Sequence, residues 1–172
     1  ANNGTINVLA GTIALADPNR VVNSNSISII VDHSGNNNGG AASSIVNNGL
    51  IEKTAGTGTT TLANGIGLDN NGTINVLSGT IALPTAFSND GTLGGTGIFT
   101  SSTLTNNGSI APGAPGSTGT LSLTGAFIQG ALGSLNAQLA STALSDLFNI
   151  SGTASLNGTL ALSCIFGCAI ND

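Results

Sequence analysis

Apolar and polar residues alternate with a period of two over short stretches, and the stretches recur along the chain. Thr5-Ile6-Asn7-Val8 places Ile6 and Val8 on one side and Thr5 and Asn7 on the other, and Thr12-Ile13-Ala14-Leu15 alternates again after Leu9-Ala10-Gly11. Such alternation predicts half-buried strands of about four residues. The Asn-Asn-Gly ahead of the first stretch predicts a turn, because Asn and Gly accept the positive φ of a sharp corner. Strands this short are unstable alone, so each has to be stacked on another.

The repeat supplies the stack. Asn2 to Leu15 reads NNGTINVLAGTIAL and Asn70 to Leu83 reads NNGTINVLSGTIAL, so the two differ only in Ala10 of the first and Ser78 of the second. Degenerate copies of the pentad stand at Asn47-Asn48-Gly49-Leu50-Ile51, Asn89-Asp90-Gly91-Thr92-Leu93 and Asn106-Asn107-Gly108-Ser109-Ile110. A fainter copy, Asn23-Ser24-Asn25-Ser26-Ile27, has Asn in the Gly slot. The first Asn of each copy falls at 2, 23, 47, 70, 89 and 106, giving coils of 17 to 24 residues. That period predicts an all-β chain folded as a parallel β-helix, a β-solenoid whose in-register strands stack about 4.8 Å apart. Two rows then follow. Ile6, Ile27, Ile51, Ile74, Leu93 and Ile110 form an interior aliphatic ladder, and Asn3, Ser24, Asn48, Asn71, Asp90 and Asn107 line up at one corner. There, side-chain amides bond to the coil above.

A single solenoid is expected over 1–172, with regular coils over 1–110 and variant terminal coils over 111–172. The change comes after Ser109, where Pro112-Gly113 opens a loop. The chain has 26 Gly, 5% charged residues, 3% aromatic and no Trp, Tyr or Met, yet 40% of it is apolar. The predicted core is therefore narrow and built of Ile, Leu, Val and Ala, and the frequent, regular apolar positions argue against disorder. A formal charge of −5 leaves no basic patch for nucleic acid or an anionic membrane. No run of about 18 apolar residues suits membrane insertion as a helix. The opening inside a repeat pentad, without a basic start and apolar stretch, reads as a processed mature chain or an excised fragment. Cys164 and Cys168 are either a disulfide closing a C-x-x-x-C loop, as an exported protein allows, or a pair of unpaired thiols, since so short a ring is demanding.

Candidate chemistry is sparse. Asp32-His33-Ser34 has the residue types of a nucleophilic triad, but strand neighbours face opposite sides, so a loop excursion is the better reading. Asp32, Ser34 and Asn36 echo a calcium loop that fails at Asn37, where Gly belongs, and at Ser43, where Glu belongs. Glu52-Lys53 reads as a solvated charge pair. Asp69 and Asp90, 21 residues apart, could approach each other like paired carboxylates, although Asp90 reads more simply as a substituted corner residue. Gly56-Thr57-Gly58 and Gly94-Gly95-Thr96-Gly97 lack a Lys and a following helix, so they are corners rather than phosphate loops. No enzyme, cofactor or metal centre is expected.

Asn106 to Gly113, Gly119-Thr120-Leu121-Ser122-Leu123-Thr124-Gly125, Asp146 to Gly152 and Leu156-Asn157-Gly158-Thr159-Leu160 together carry a resemblance that covers most of the chain from about Asn70. The sequence resembles the passenger β-helices of bacterial autotransporters and related surface proteins with the autotransporter-associated β-strand repeat. Cys164-Ile165-Phe166-Gly167-Cys168 departs from the family's usual pattern. The resemblance implies a secreted or surface-exposed bacterial structural module and implies no particular ligand. The expected function is a rigid extracellular rod that self-associates through its coil ends into filaments or a sheath. The alternative is an adhesin, or a carbohydrate- or ice-binding module, meeting a surface glycan or host-cell ligand through outward Thr and Asn. Thr5, Thr12, Thr73 and Thr80 fall at equivalent outward positions, interrupted by Leu50.

Overall fold

The structure, a computed structural model, describes residues 1–9, 14–15, 20–29, 32, 36–37, 43–62, 65–114, 116–141 and 143–166. The first rung carries β1 (Thr5–Val8), β2 (Ala14–Leu15) and β3 (Arg20–Asn23). The second carries β4 (Ser26–Ile29), β5 (Asn36–Asn37) and β6 (Ser43–Asn47), and the third β7 (Leu50–Lys53), β8 (Thr59–Thr61) and β9 (Ile66–Asn70). β10 (Thr73–Val76), β11 (Thr80–Ala82) and β12 (Ala86–Asn89) follow. The next two rungs have two strands each: β13 (Thr92–Gly95) with β14 (Ile98–Asn106), and β15 (Ser109–Pro112) with β16 (Thr120–Gln129). β17 (Ser134–Leu139), β18 (Leu147–Ile150) and β19 (Ala154–Ser155) precede β20 (Thr159–Cys164).

The chain is an all-β parallel solenoid, with no helix among the described residues. One sheet stacks β1-β4-β7-β10-β13-β15-β17-β20, and a second follows the path β3-β6-β9-β12-β14-β16-β18. β11 bridges β8 to β14 in that second sheet. The alternation predicts strands of about four residues; the later coils differ because two strands fuse. β14 pairs β11 through Ile98–Thr100 and β12 through Thr103–Asn106, so it spans both earlier strands. The register against β16 shifts between Thr100 and Thr103. This bulge bends the strand where earlier coils break it. Opposite the bend, Gly125 has φ 139°, and a Cβ there would run into the Ser101 carbonyl oxygen.

The pentad glycines work differently from expectation. Gly49, Gly72, Gly91 and Gly108 are not among the positive-φ residues; of the described glycines that follow an Asn, Gly65 and Gly158 take positive φ, at 72° and 69°. Stacking is what excludes a side chain there. A Cβ on Gly72 would overlap the Gly49 carbonyl oxygen, one on Gly91 that of Gly72, and one on Gly108 that of Gly91. At Gly4, on the first rung, a Cβ would meet nothing within 4 Å.

One apolar cluster fills the interior from Val8 to Phe127. It contains Phe87, Phe99 and Phe127 as well as the expected aliphatics, and Phe148 packs edge-on against Phe127 with ring centroids 5.1 Å apart. In the terminal rungs, the buried Asp146 carboxylate accepts from Gly119 N and from Gln138 N, each at 2.8 Å, tying the Pro-Gly loop to β17. Cys164 is disulfide-bonded; Cys168 lies outside the described residues.

Candidate functional site

The aliphatic row runs through direct register partners: Ile6 with Ile27, Ile27 with Ile51, Ile51 with Ile74, Ile74 with Leu93, and Leu93 with Ile110. It then continues to Leu135 and Leu160, which the sequence pattern had not picked out. Ile51, Ile74, Leu93 and Ile110 are buried, whereas Ile6 on the first rung is 39% exposed.

The buried amide chain at this corner lies one residue before the expected row. The buried row is the first Asn of each pentad, not the second. Asn2 Nδ2 donates to Asn23 Oδ1 (3.0 Å), Asn23 to Asn47 (2.8 Å), Asn47 to Asn70 (2.7 Å), Asn70 to Asn89 (2.8 Å) and Asn89 to Asn106 (2.8 Å). Asn106 donates to Gln129 Oε1 at 3.4 Å, and Gln129 ends the side-chain row by donating to two backbone carbonyls, Gly133 nearby in sequence and Thr159 on the next turn. Each Nδ2 also donates to a backbone carbonyl of the next turn, as Asn47 does to Thr73 O at 3.0 Å. On the acceptor side, Asn47 Oδ1 takes the Gly49 N–H as well. The amide is thus satisfied in the interior, and the aligned dipoles reinforce one another. Strand parity explains the shift: Asn70 faces the same way as Ile66 and Leu68 in β9, while the following residue lies outside the turn.

Of the expected corner row, Asn3, Ser24, Asn48, Asn71 and Asp90 are exposed and Asn107 is half-buried. Two lateral bonds occur among its described side chains: Asn71 Nδ2 to Asn48 Oδ1 at 3.2 Å and Asn107 Nδ2 to Asp90 Oδ1 at 3.3 Å. The threonines divide as well. Thr5 and Thr73 share an outward rank with Ser26, Leu50 and Thr92, whereas Thr80 lies on β11 beside Thr59 and Ile98. Thr12, His33 and Ser34 lie outside the described residues.

Each described charge has an address. Lys53 is not a solvated partner of Glu52: its side chain is fully buried in the aliphatic interior beside Ile29 and Val76, and its Nζ lies 2.8 Å from Asp32 Oδ1. The Lys53 ammonium bonded to it holds the Asp32 carboxyl below its usual range, helped by the Gly58 N–H on Oδ2. Parity again gives the reason, since Lys53 is the second inward position of β7. Glu52 faces out and accepts from Asn75 Nδ2 at 3.3 Å, and Asp146 is consumed by backbone N–H groups.

Arg20, Asp69 and Asp90 remain, and they share one trough. A cavity of about 630 Å3 on the outer face of the second sheet is walled by Arg20, Asp69, Asp90, Asn71 and Ser88. Its floor includes Gly67 and Ala86, outward positions of β9 and β12. Among the described residues, the one salt bridge is Lys53 with Asp32, so Arg20 lies within 4.0 Å of neither carboxylate. Asp69 and Asp90 line a common surface, one coil apart, together with Arg20. No group of three His, Cys, Asp or Glu that could hold a metal ion occurs among the described residues. Comparison with family models, with curated proteins and with solved structures gives no match to the chain.

Proposed function

We propose that the protein is a non-enzymatic, extracellular structural module: a rigid rod of the kind carried by autotransporter-type surface proteins, able to assemble end to end. The observation that carries the reading is the asparagine row, a directional hydrogen-bond chain from Asn2 to Gln129 that locks each coil in register with the next. A rod held this way resists bending and slippage, because a slip of one residue turns every buried amide outward. The disulfide at Cys164 suits an oxidising exterior. Outward strand positions of small polar residues suit a surface made for display.

End-to-end assembly is supported by the aliphatic row, which presents Ile6 at one edge and Leu160, 61% exposed, at the other. A parallel strand from a second copy covers both while pairing the open backbone. Negative-stain electron microscopy of the purified protein over a concentration series tests this. Unbranched filaments one solenoid wide are the expected result; rods that stay single at every concentration would rule the assembly out and leave a display module.

A further inference from the structure

We infer that the Arg20–Asp69–Asp90 trough is a binding site for a neutral saccharide. The inference is independent of the rod reading.

Gly67 lies at an outward position of β9, in the floor of the trough. Every other described glycine whose surroundings are resolved, Gly4 on the first rung apart, either has positive φ or would drive a Cβ to within 3.0 Å of a neighbour. Gly67 has neither reason. Its φ is not positive, and a Cβ there meets Ser44 Cβ at 3.5 Å, an ordinary contact. Glycine weakens a strand interior, and its presence there marks a close approach by something else. Nothing in the fold needs the space above Gly67; the trough does, since Gly67 is part of its floor.

Among the described charged residues, Lys53 and Asp32 neutralise each other, Glu52 holds Asn75, and Asp146 holds backbone N–H groups. Arg20 and Asp69 make no such contact, and Asp90 accepts one exposed bond, from Asn107 at 3.3 Å; these three converge on one concavity in a chain that is only 5% charged. Its volume lies in the range of small-molecule sites, about 300–1,000 Å3.

The chemistry selects the ligand class. Two carboxylates accept from adjacent hydroxyls, the guanidinium donates to ring or hydroxyl oxygens, and Asn71 and Ser88 do both. A metal ion would face Arg20 with too few anionic ligands. An anionic polymer would face two carboxylates for one cation. Phe87 of β12 is buried beneath the surface, so there is no aromatic platform for a nucleobase or an apolar side chain. A polyhydroxylated neutral ligand matches the mixture of donors and acceptors.

The test applies the native protein, Gly67→Val and Arg20→Ala to an array of neutral and acidic oligosaccharides, followed by calorimetric titration of the best neutral binder. Gly67→Val fills the trough from an outward strand position. It is expected to lower affinity at least tenfold while the thermal midpoint stays level or rises, because Val suits a strand better than Gly. Arg20→Ala, at an exposed position, is expected to lower affinity with no change in midpoint. Retention of no neutral saccharide by the native protein would overturn the inference. So would a preference for acidic saccharides, or a Gly67→Val protein that binds as tightly as the native one. None of these results bears on filament formation.

Discussion

Two rows of side chains climb the same corner of the solenoid, one residue apart in sequence. The inner row, Asn23, Asn47, Asn70, Asn89 and Asn106, is almost wholly buried and bonded amide to amide along its length. The outer row has similar composition but faces solvent, and its described side chains make two scattered lateral bonds. Residue type is therefore a poor guide to contribution. An amide in water exchanges one set of partners for another at little net gain, whereas a buried amide whose partner is removed bears the full cost of desolvation.

The largest expected effect comes from breaking the inner row at its centre. Asn70→Leu strips Asn47 Nδ2 of one of its two acceptors and Asn89 Oδ1 of its donor. Each orphaned buried group costs about 1–3 kcal/mol, so the variant is expected to lose about 3 kcal/mol in urea unfolding. Hydrogen exchange is expected to quicken in the rungs on both sides of residue 70. A loss below about 1 kcal/mol would mean that the row is incidental to stability.

Gly72→Ala attacks the corner from the backbone. The new Cβ overlaps the Gly49 carbonyl oxygen of the coil below, and relieving it requires the coils to part, at about 2–3 kcal/mol in the same assay. Gly4→Ala, with no coil beneath it, is expected to change little. The pair separates a stacking requirement from a turn requirement, since a turn requirement would damage both.

Lys53 sharpens the comparison, for it is buried and polar but belongs to no row. Replacing Lys53 with Met restores an aliphatic side chain between Ile29 and Val76 and removes the need to desolvate an ion pair, so the unfolding midpoint at neutral pH is expected to hold or rise. The acid limb is the diagnostic. Asp32 has a folded pKa below its unfolded value, so its contribution is complete above the ordinary carboxylate range and is lost as pH falls through the lowered value. The native protein is expected to lose stability in that window, and Lys53→Met to lose less.

The smallest effect belongs to the outer row. Asn71→Ala removes one exposed bond to Asn48 and is expected to stay within about 0.5 kcal/mol of the native protein. A loss comparable to that of Asn70→Leu would erase the distinction between the rows.

Much of this was legible in the chain. The near-identity of 2–15 and 70–83 dictates stacking, because strands of four residues have no other source of partners, and the period-two alternation in Thr73–Val76 places Ile74 inside without any coordinates. The parity of Leu68 and Asn70 is present in the sequence as well, since continuing the strand alternation through Asn70 places its side chain inside. Other features had no local signal. That Asp32 and not Glu52 meets Lys53 depends on where a chain excursion returns, 21 residues away. The overlap that forbids a side chain at Gly72 involves a carbonyl one coil below, and the convergence of Arg20, Asp69 and Asp90 joins three coils at one face. Sequence determined what repeats and which side of each strand is apolar, since both are properties of neighbouring residues. Only the tertiary structure decided which distant side chains share a coil face, because solenoid coils of unequal length move residues between corners by amounts that no local rule records.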